Sequence, residues 1–166
     1  MIRALLLALI CCLGAPVSAA VKSGDEALPL SYPTLPLDGS QTALADLRGK
    51  VVYLDFWASW CGPCRLSFPQ LEALRQEFGP QGFEVLAVSV DEDVDDALEF
   101  LQQVPVSYPI VWDPQGESPA SWGILGMPTA YLIGRDGVIN RVHQGFRKGD
   151  GARLREEIIK LLGESS

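Results

Sequence analysis

The chain of 166 residues is short of what several function classes require. It has a single histidine, His143, and four cysteines, of which Cys11 and Cys12 lie close to the N-terminus. A structural zinc site wants four sulfur or imidazole ligands, and Cys61, Cys64 and His143 cannot supply them. Copper transfer through paired thiolates wants a histidine close by, and His143 stands far along the chain. No metal and no cofactor are expected. Positive charge is scarce as well: 13 Lys and Arg against 21 Asp and Glu give a net charge of −8. An acidic surface repels phosphate backbones and anionic lipid head groups, so nucleic acid is not an expected partner. Internal repeats and low-complexity tracts are missing. With 48% hydrophobic and 20% charged residues, the composition suits one globular domain with one core.

The N-terminus reads as an address. Arg3 is a short basic region, residues 4–13 are an apolar run, and Ala15-Pro16-Val17-Ser18-Ala19-Ala20 offers small residues for cleavage after Ala19 or Ala20. This is the three-part pattern of a secretory signal peptide, here assigned to residues 1–20, with the mature domain at 21–166. The run is shorter than the roughly 20 residues that span a hydrocarbon core. Retention as an uncleaved signal anchor is the competing reading. A lipoprotein fits less well, because Ile10 and Cys11 precede the leader cysteines where a small residue belongs. The expected location is periplasmic or otherwise extracytoplasmic.

Loss of the leader would leave Cys61 and Cys64 as the only cysteines. A bridge between them closes so short a loop that it constrains the unfolded chain little, so a stapling role is not expected. Along the chain, residues 22–30 read as polar and flexible. Residues 32–47 read as a hairpin around Leu37-Asp38-Gly39-Ser40. Residues 51–57 and 83–90 are β-branched and apolar runs of the kind that form buried strands. A helix is predicted over 64–78 with a kink at Pro69. Another is predicted to begin behind an Asp93 cap, with Val94, Ala97, Leu98 and Leu101 on one face. Residues 108–112 suggest a short strand and 118–122 a short helix. A hairpin pattern covers 129–133 and 138–142, and a last helix is predicted behind an Asp150 cap. The order of elements predicts an α/β fold with a mixed central sheet flanked by helices.

Two cysteines separated by two residues at a strand-to-helix junction have a definite use. The first meets the free N–H groups and the positive dipole end of the helix, which favour its thiolate. Cys61 is therefore the expected nucleophile. Cys64, one turn further in, is the expected resolving thiol that attacks the mixed disulfide. Pro63 costs little in a first helical turn. A peroxidatic cysteine would sit in a Pro-x-x-x-Thr-x-x-Cys setting, and Phe56-Trp57-Ala58-Ser59-Trp60 before Cys61 does not provide it. An inert buried pair is the remaining alternative.

The segment Asp55-Phe56-Trp57-Ala58-Ser59-Trp60-Cys61-Gly62-Pro63-Cys64-Arg65, with Pro69 beyond it and Gly126-Met127-Pro128-Thr129 later, closely resembles the thioredoxin superfamily. The N-terminal hairpin and the helix-plus-strand segment 93–112 are shared with its exported TlpA/ResA/DsbE-like branch. The resemblance implies a thioredoxin-like fold over about 32–162. It also implies a cis-proline at Pro128 facing the disulfide, with the Met127 backbone free to pair with substrate. Members of that branch mainly keep particular thiols reduced outside the cytoplasm, those of apocytochrome c among them. Trp60, Gly62, Pro63 and Met127 are accordingly the expected substrate contacts, with Trp60 also limiting solvent access.

Asp55 lies in an apolar strand where a carboxyl group is out of place. Burial should raise its pKa and let it exchange a proton with Cys64. The competing reading is a hydrogen-bonded structural acid. The partner strand, 83–90, offers no lysine, a departure from thioredoxin. Trp57 is expected in the core, Trp112 and Trp122 in packing only, and His143 on the surface. These residues predict an exported monomeric thiol–disulfide oxidoreductase. It would act on protein disulfides as a reductant, supplied by a membrane electron-donor protein. An oxidase or isomerase, or a non-catalytic binding module using the Met127–Pro128 groove, are the alternatives.

Overall fold

The computed structural model describes residues 20–164, so residues 1–19 of the proposed leader lie outside the described part. Among the described residues, seven strands and four α-helices follow one another. The strands are β1 (Ser31–Leu35), β2 (Gln41–Ala43), β3 (Val51–Trp57), β4 (Phe83–Ser89), β5 (Ile110–Trp112), β6 (Thr129–Ile133) and β7 (Ile139–Gln144). The helices are α1 (Gly62–Phe78), α2 (Val94–Gln103), α3 (Glu117–Trp122) and α4 (Asp150–Gly163). The strands form one sheet in the order β2-β1-β5-β4-β3-β6-β7. β3, β4 and β5 run parallel, whereas β1, β6 and β7 join antiparallel. The fold is thioredoxin-like, with the expected mixed sheet.

Every residue of β3 and β4 is buried, because helices or loops cover both faces of the central strands. Alternation then divides the core. Val51, Tyr53 and Trp57 face one layer with Phe68, Leu71 and Leu74 of α1, Phe100 of α2 and Ile158 of α4. Val52, Leu54 and Phe56 face the other with Trp122 of α3, Tyr131, Leu30 and Leu47. Trp57 is fully buried, 4.8 Å from the Phe68 ring and 4.7 Å from the Phe100 ring. Trp122 packs 4.7 Å from Tyr131, and the Trp112 indole donates to the Asp91 carbonyl at 2.7 Å.

Several expectations change. The segment at 22–30 is tied down: Gly24 N–H donates to Ile139 O, Asp25 O accepts from Ile139 N–H, and Ala27 N–H donates to Gly137 O. Its polar side chains suggested flexibility, but its backbone finds partners beside β7. α1 begins at Gly62, earlier than expected, because Cys61 itself serves as its N-cap. Asp93 caps α2 as expected, accepting from the Asp95 N–H, but the buried residues of α2 are Ala97 and Phe100. At α4 the N-cap is Gly149 in the left-handed region (φ 97°), and Asp150 is the first helical residue. Its carboxylate accepts instead from the Arg147 N–H. His143 is not on the open surface: its side chain is 21% exposed and its ring lies 5.7 Å from that of Tyr53. Its Nε2 stands 2.9 Å from Glu157 Oε2 on α4, and burial holds its pKa below the ordinary value.

Candidate active site

The site forms where β3 hands the chain to α1. Register places Trp57 beside Ser89 and Phe56 beside Thr129, so the ends of β3 and β4 and the start of β6 share one pole. Cys61 and Cys64 are joined there as a disulfide. Cys61 is 3% exposed and Cys64 fully buried, while Gly62 and Pro63 between them are exposed. As helix cap, Cys61 Sγ accepts from the Cys64 N–H at 3.3 Å. A backbone donor is thus already aimed at the sulfur that would carry charge as a thiolate.

The Met127–Pro128 peptide bond is cis, as the resemblance implied. Pro128 is buried, its carbonyl accepts from the Gly145 N–H at 2.7 Å, and Thr129 Oγ1 donates to Gly126 O at 2.7 Å. The segment before β6 is thereby fixed at the same pole. Met127 is half-buried between the two core layers, whereas Trp60 is 72% exposed and Leu125 is 98% exposed. These side chains leave apolar surface around a pair of sulfurs that are themselves shielded, an arrangement suited to a protein chain as substrate.

Asp55 sits on β3 between Ala87 of β4 and Ala130 of β6, on the layer that also holds Cys64. It is 1% exposed, and its Oδ2 has no hydrogen-bond partner among the described residues. Burial raises its pKa to about 8. Below that pH the folded protein keeps this acid neutral and able to donate a proton. The small neighbours Ala87 and Ala130 put neither a cation nor a donor beside it.

The loop before Cys61 is held by a residue that the sequence pattern did not mark. Asp91, 2% exposed, accepts from the Ser59 N–H at 3.0 Å, the Ser59 hydroxyl at 2.7 Å and the Ser89 hydroxyl at 2.9 Å. An acid directly behind an apolar strand was the available signal, but its partner is distant in sequence. Asp91→Ala strands three donors, the Ser89 hydroxyl buried and the two of Ser59 half-buried, and we expect a loss of about 3 kcal/mol. That would lower the Tm by roughly 10 °C. An unchanged calorimetric melt would show that solvent replaces the carboxylate.

No helix among the described residues is long and apolar enough to cross a membrane, and no cluster of His, Cys, Asp and Glu among them could hold a metal ion. The family profile described as Redoxin matches residues 22–158. The chain belongs to the redoxin family. Thiol–disulfide oxidoreductase ResA of Bacillus subtilis (strain 168) is 34% identical over 146 residues, which cover 85% of this chain and 82% of ResA. Thioredoxin-like protein YneN of the same strain is 33% identical over 128 residues, covering 75% of this chain and 73% of that one. A crystal structure from Chlorobium tepidum, assigned as thiol:disulfide interchange protein DsbE, superposes with a TM-score of 0.81 at 42% identity. That match covers 87% of this chain and 100% of the other. Within the thioredoxin superfamily the redoxin chain described here is of the ResA and DsbE type. It is a thiol–disulfide oxidoreductase.

Proposed function

We propose that this oxidoreductase is an exported reductant of protein disulfides, in which Cys61 attacks, Cys64 resolves and Asp55 manages the proton of Cys64. Trp60, Gly62, Pro63 and Met127 would contact the substrate, with Pro128 holding Met127 in place. The observation that supports the direction is that, among the described residues, the hydrogen-bond support of the Cys61 sulfur is a single backbone N–H, the 3.3 Å contact from Cys64 N. A strongly stabilised thiolate favours the reduced form and makes an oxidant, and a weakly stabilised one makes a reductant. The Asp55 carboxylate, once ionised, opposes a second negative charge and acts in the same direction.

The signal-peptide pattern of residues 1–20 supports export. Outside the cytoplasm a reductant needs electrons from across the membrane, so a membrane donor protein is part of the proposal. The disulfide of apocytochrome c before haem attachment is a substrate of the proposed kind, and the protein would act on it as a monomer. Equilibration with glutathione tests the direction. We expect a potential more negative than about −220 mV, toward the thioredoxin value of about −270 mV. A value near −120 mV, that of a strong oxidant, would replace the reductant with an oxidase. In cells, alkylation after acid quenching should find the pair mostly reduced, and oxidised once the donor is deleted.

A further inference from the structure

Two rims of opposite charge flank the cysteine pair, and the sheet order puts them on opposite sides of it. β3 delivers Cys61, β4 lies on one side of β3, and β6 then β7 lie on the other. The chain leaving β4 passes Asp91 and continues through Glu92, Asp93, Asp95 and Asp96, all four exposed. The chain leaving β7 passes the buried Phe146 and reaches the exposed Arg147 and Lys148. Both rims are bonded to the site. Asp91 holds Ser59, and the Gly145 N–H donates to the Pro128 carbonyl.

The basic rim borders a groove of about 310 Å³ between α1 and the loop that leads into α4. Leu66 and Gln70 form one wall and residues 146–149 the other. The groove ends at Gly151, where a Cβ would come within 2.7 Å of Gln70 Oε1. Leu66, just past Cys64, is 57% exposed and gives the groove an apolar edge. No carboxylate lines it, although Asp and Glu outnumber Lys and Arg by 21 to 13 in the chain. The neighbouring Asp150 carboxylate is engaged by the Arg153 side chain and the Arg147 N–H. The Lys148 ammonium has no partner among the described residues.

We infer that the site reads the charge order of its partner. It takes an extended protein segment whose cysteine is flanked by acidic residues on the Arg147–Lys148 side and by basic residues on the Glu92–Asp96 side. An apolar side chain of that segment lies between Leu66 and Phe146. The inference rests on the reading that the pair exchanges with protein disulfides, and it adds what such a protein must carry. The two rims act as an electrostatic register: a segment laid the other way meets like charge at both ends.

Two peptides of identical composition test it, one with Asp-Asp before a central cysteine and Lys-Lys after, the other with the order reversed. Equal net charge removes the general repulsion from the acidic protein. Each cysteine carries 2-mercaptoethanol as a mixed disulfide. In protein reduced beforehand to the Cys61, Cys64 dithiol, Cys61 displaces the mercaptoethanol from the peptide sulfur, and Cys64 then displaces the peptide thiolate. Two electrons pass to the two released thiols, and the protein is left with its disulfide. We expect one order to react about fivefold faster at low salt, the size that a few exposed ion pairs supply. The difference should collapse at about 0.5 M salt, where screening is short-ranged. It should also collapse in the double variant Arg147→Glu, Lys148→Glu, read as the ratio of the two peptides within that protein. Equal rates for the two orders, or a ratio unaltered by the double variant, overturn the inference. So does wild type that reduces 2-hydroxyethyl disulfide but neither peptide. Inertness toward all three disulfides overturns the exchange reading with it.

Discussion

Cys61→Ser will lose disulfide exchange by roughly three orders of magnitude or more, the scale on which removing a nucleophile acts. Cys64→Ser will instead accumulate mixed disulfides through Cys61. The two sulfurs are chemically alike, and position separates them. Cys61 caps α1 and accepts a backbone N–H, whereas Cys64 lies inside the first turn with no exposed surface. That difference is the ground for proposing attack by Cys61 and release by Cys64. Mass spectrometry of the trapped species after incubation with an oxidised protein substrate reads the outcome. Alkylation at limiting reagent that modified Cys64 first would reverse the assignment.

Asp55→Asn will be as stable as wild type near pH 4 and markedly more stable above pH 8. The folded protein holds Asp55 neutral up to about pH 8, whereas the unfolded chain ionises it near its ordinary value of 3.8. Between those limits the unfolded state binds fewer protons than the native state, so wild-type stability falls as pH rises. Above about pH 8 both states are ionised and the loss stops growing. Its full size is on the order of 5 kcal/mol, reduced by whatever the unpartnered amide of Asn costs. Denaturant melts across pH 4 to about 9 measure the gap. Exchange should slow near neutral pH in the same variant, because the acceptor proposed for the Cys64 proton is removed. A gap that stays flat with pH, with turnover unchanged, would return Asp55 to a structural acid.

The chemistry was legible because it is local. Cys61-Gly62-Pro63-Cys64 at the end of an apolar run states a strand-to-helix junction within one stretch of chain; apolar runs placed β3 and β4, and helical periodicity placed α2, to within a few residues. Asp55 stood out for the same reason, since an acid in an unbroken apolar strand contradicts its surroundings. Helix starts were less legible. The cysteine that caps α1 departs from the residues usually preferred there, and at α4 the cap falls on Gly149, one residue before the expected Asp150.

Contacts between distant segments were decided by the tertiary structure alone. Periodicity could not say that the polar stretch at 22–30 would bond along β7, because those bonds are made by the backbone and leave no mark on side-chain pattern. It could not pair Ser59 with Asp91, which meet only because β3 and β4 run parallel and end together. His143 read as a surface residue until α4 crossed β7 and set Glu157 against it. The charge order around the site belongs to the same class. The runs near 92–96 and 147–148 are ordinary solvated charges in sequence, and only the placement of β4 and β7 on either side of β3 turns them into opposing rims. The sequence by itself determined which atoms are candidates to react, since the proposed nucleophile, resolving thiol and buried acid are set by residue type and spacing. The fold decided what surrounds them, because burial, ion pairing and register depend on which elements meet in space.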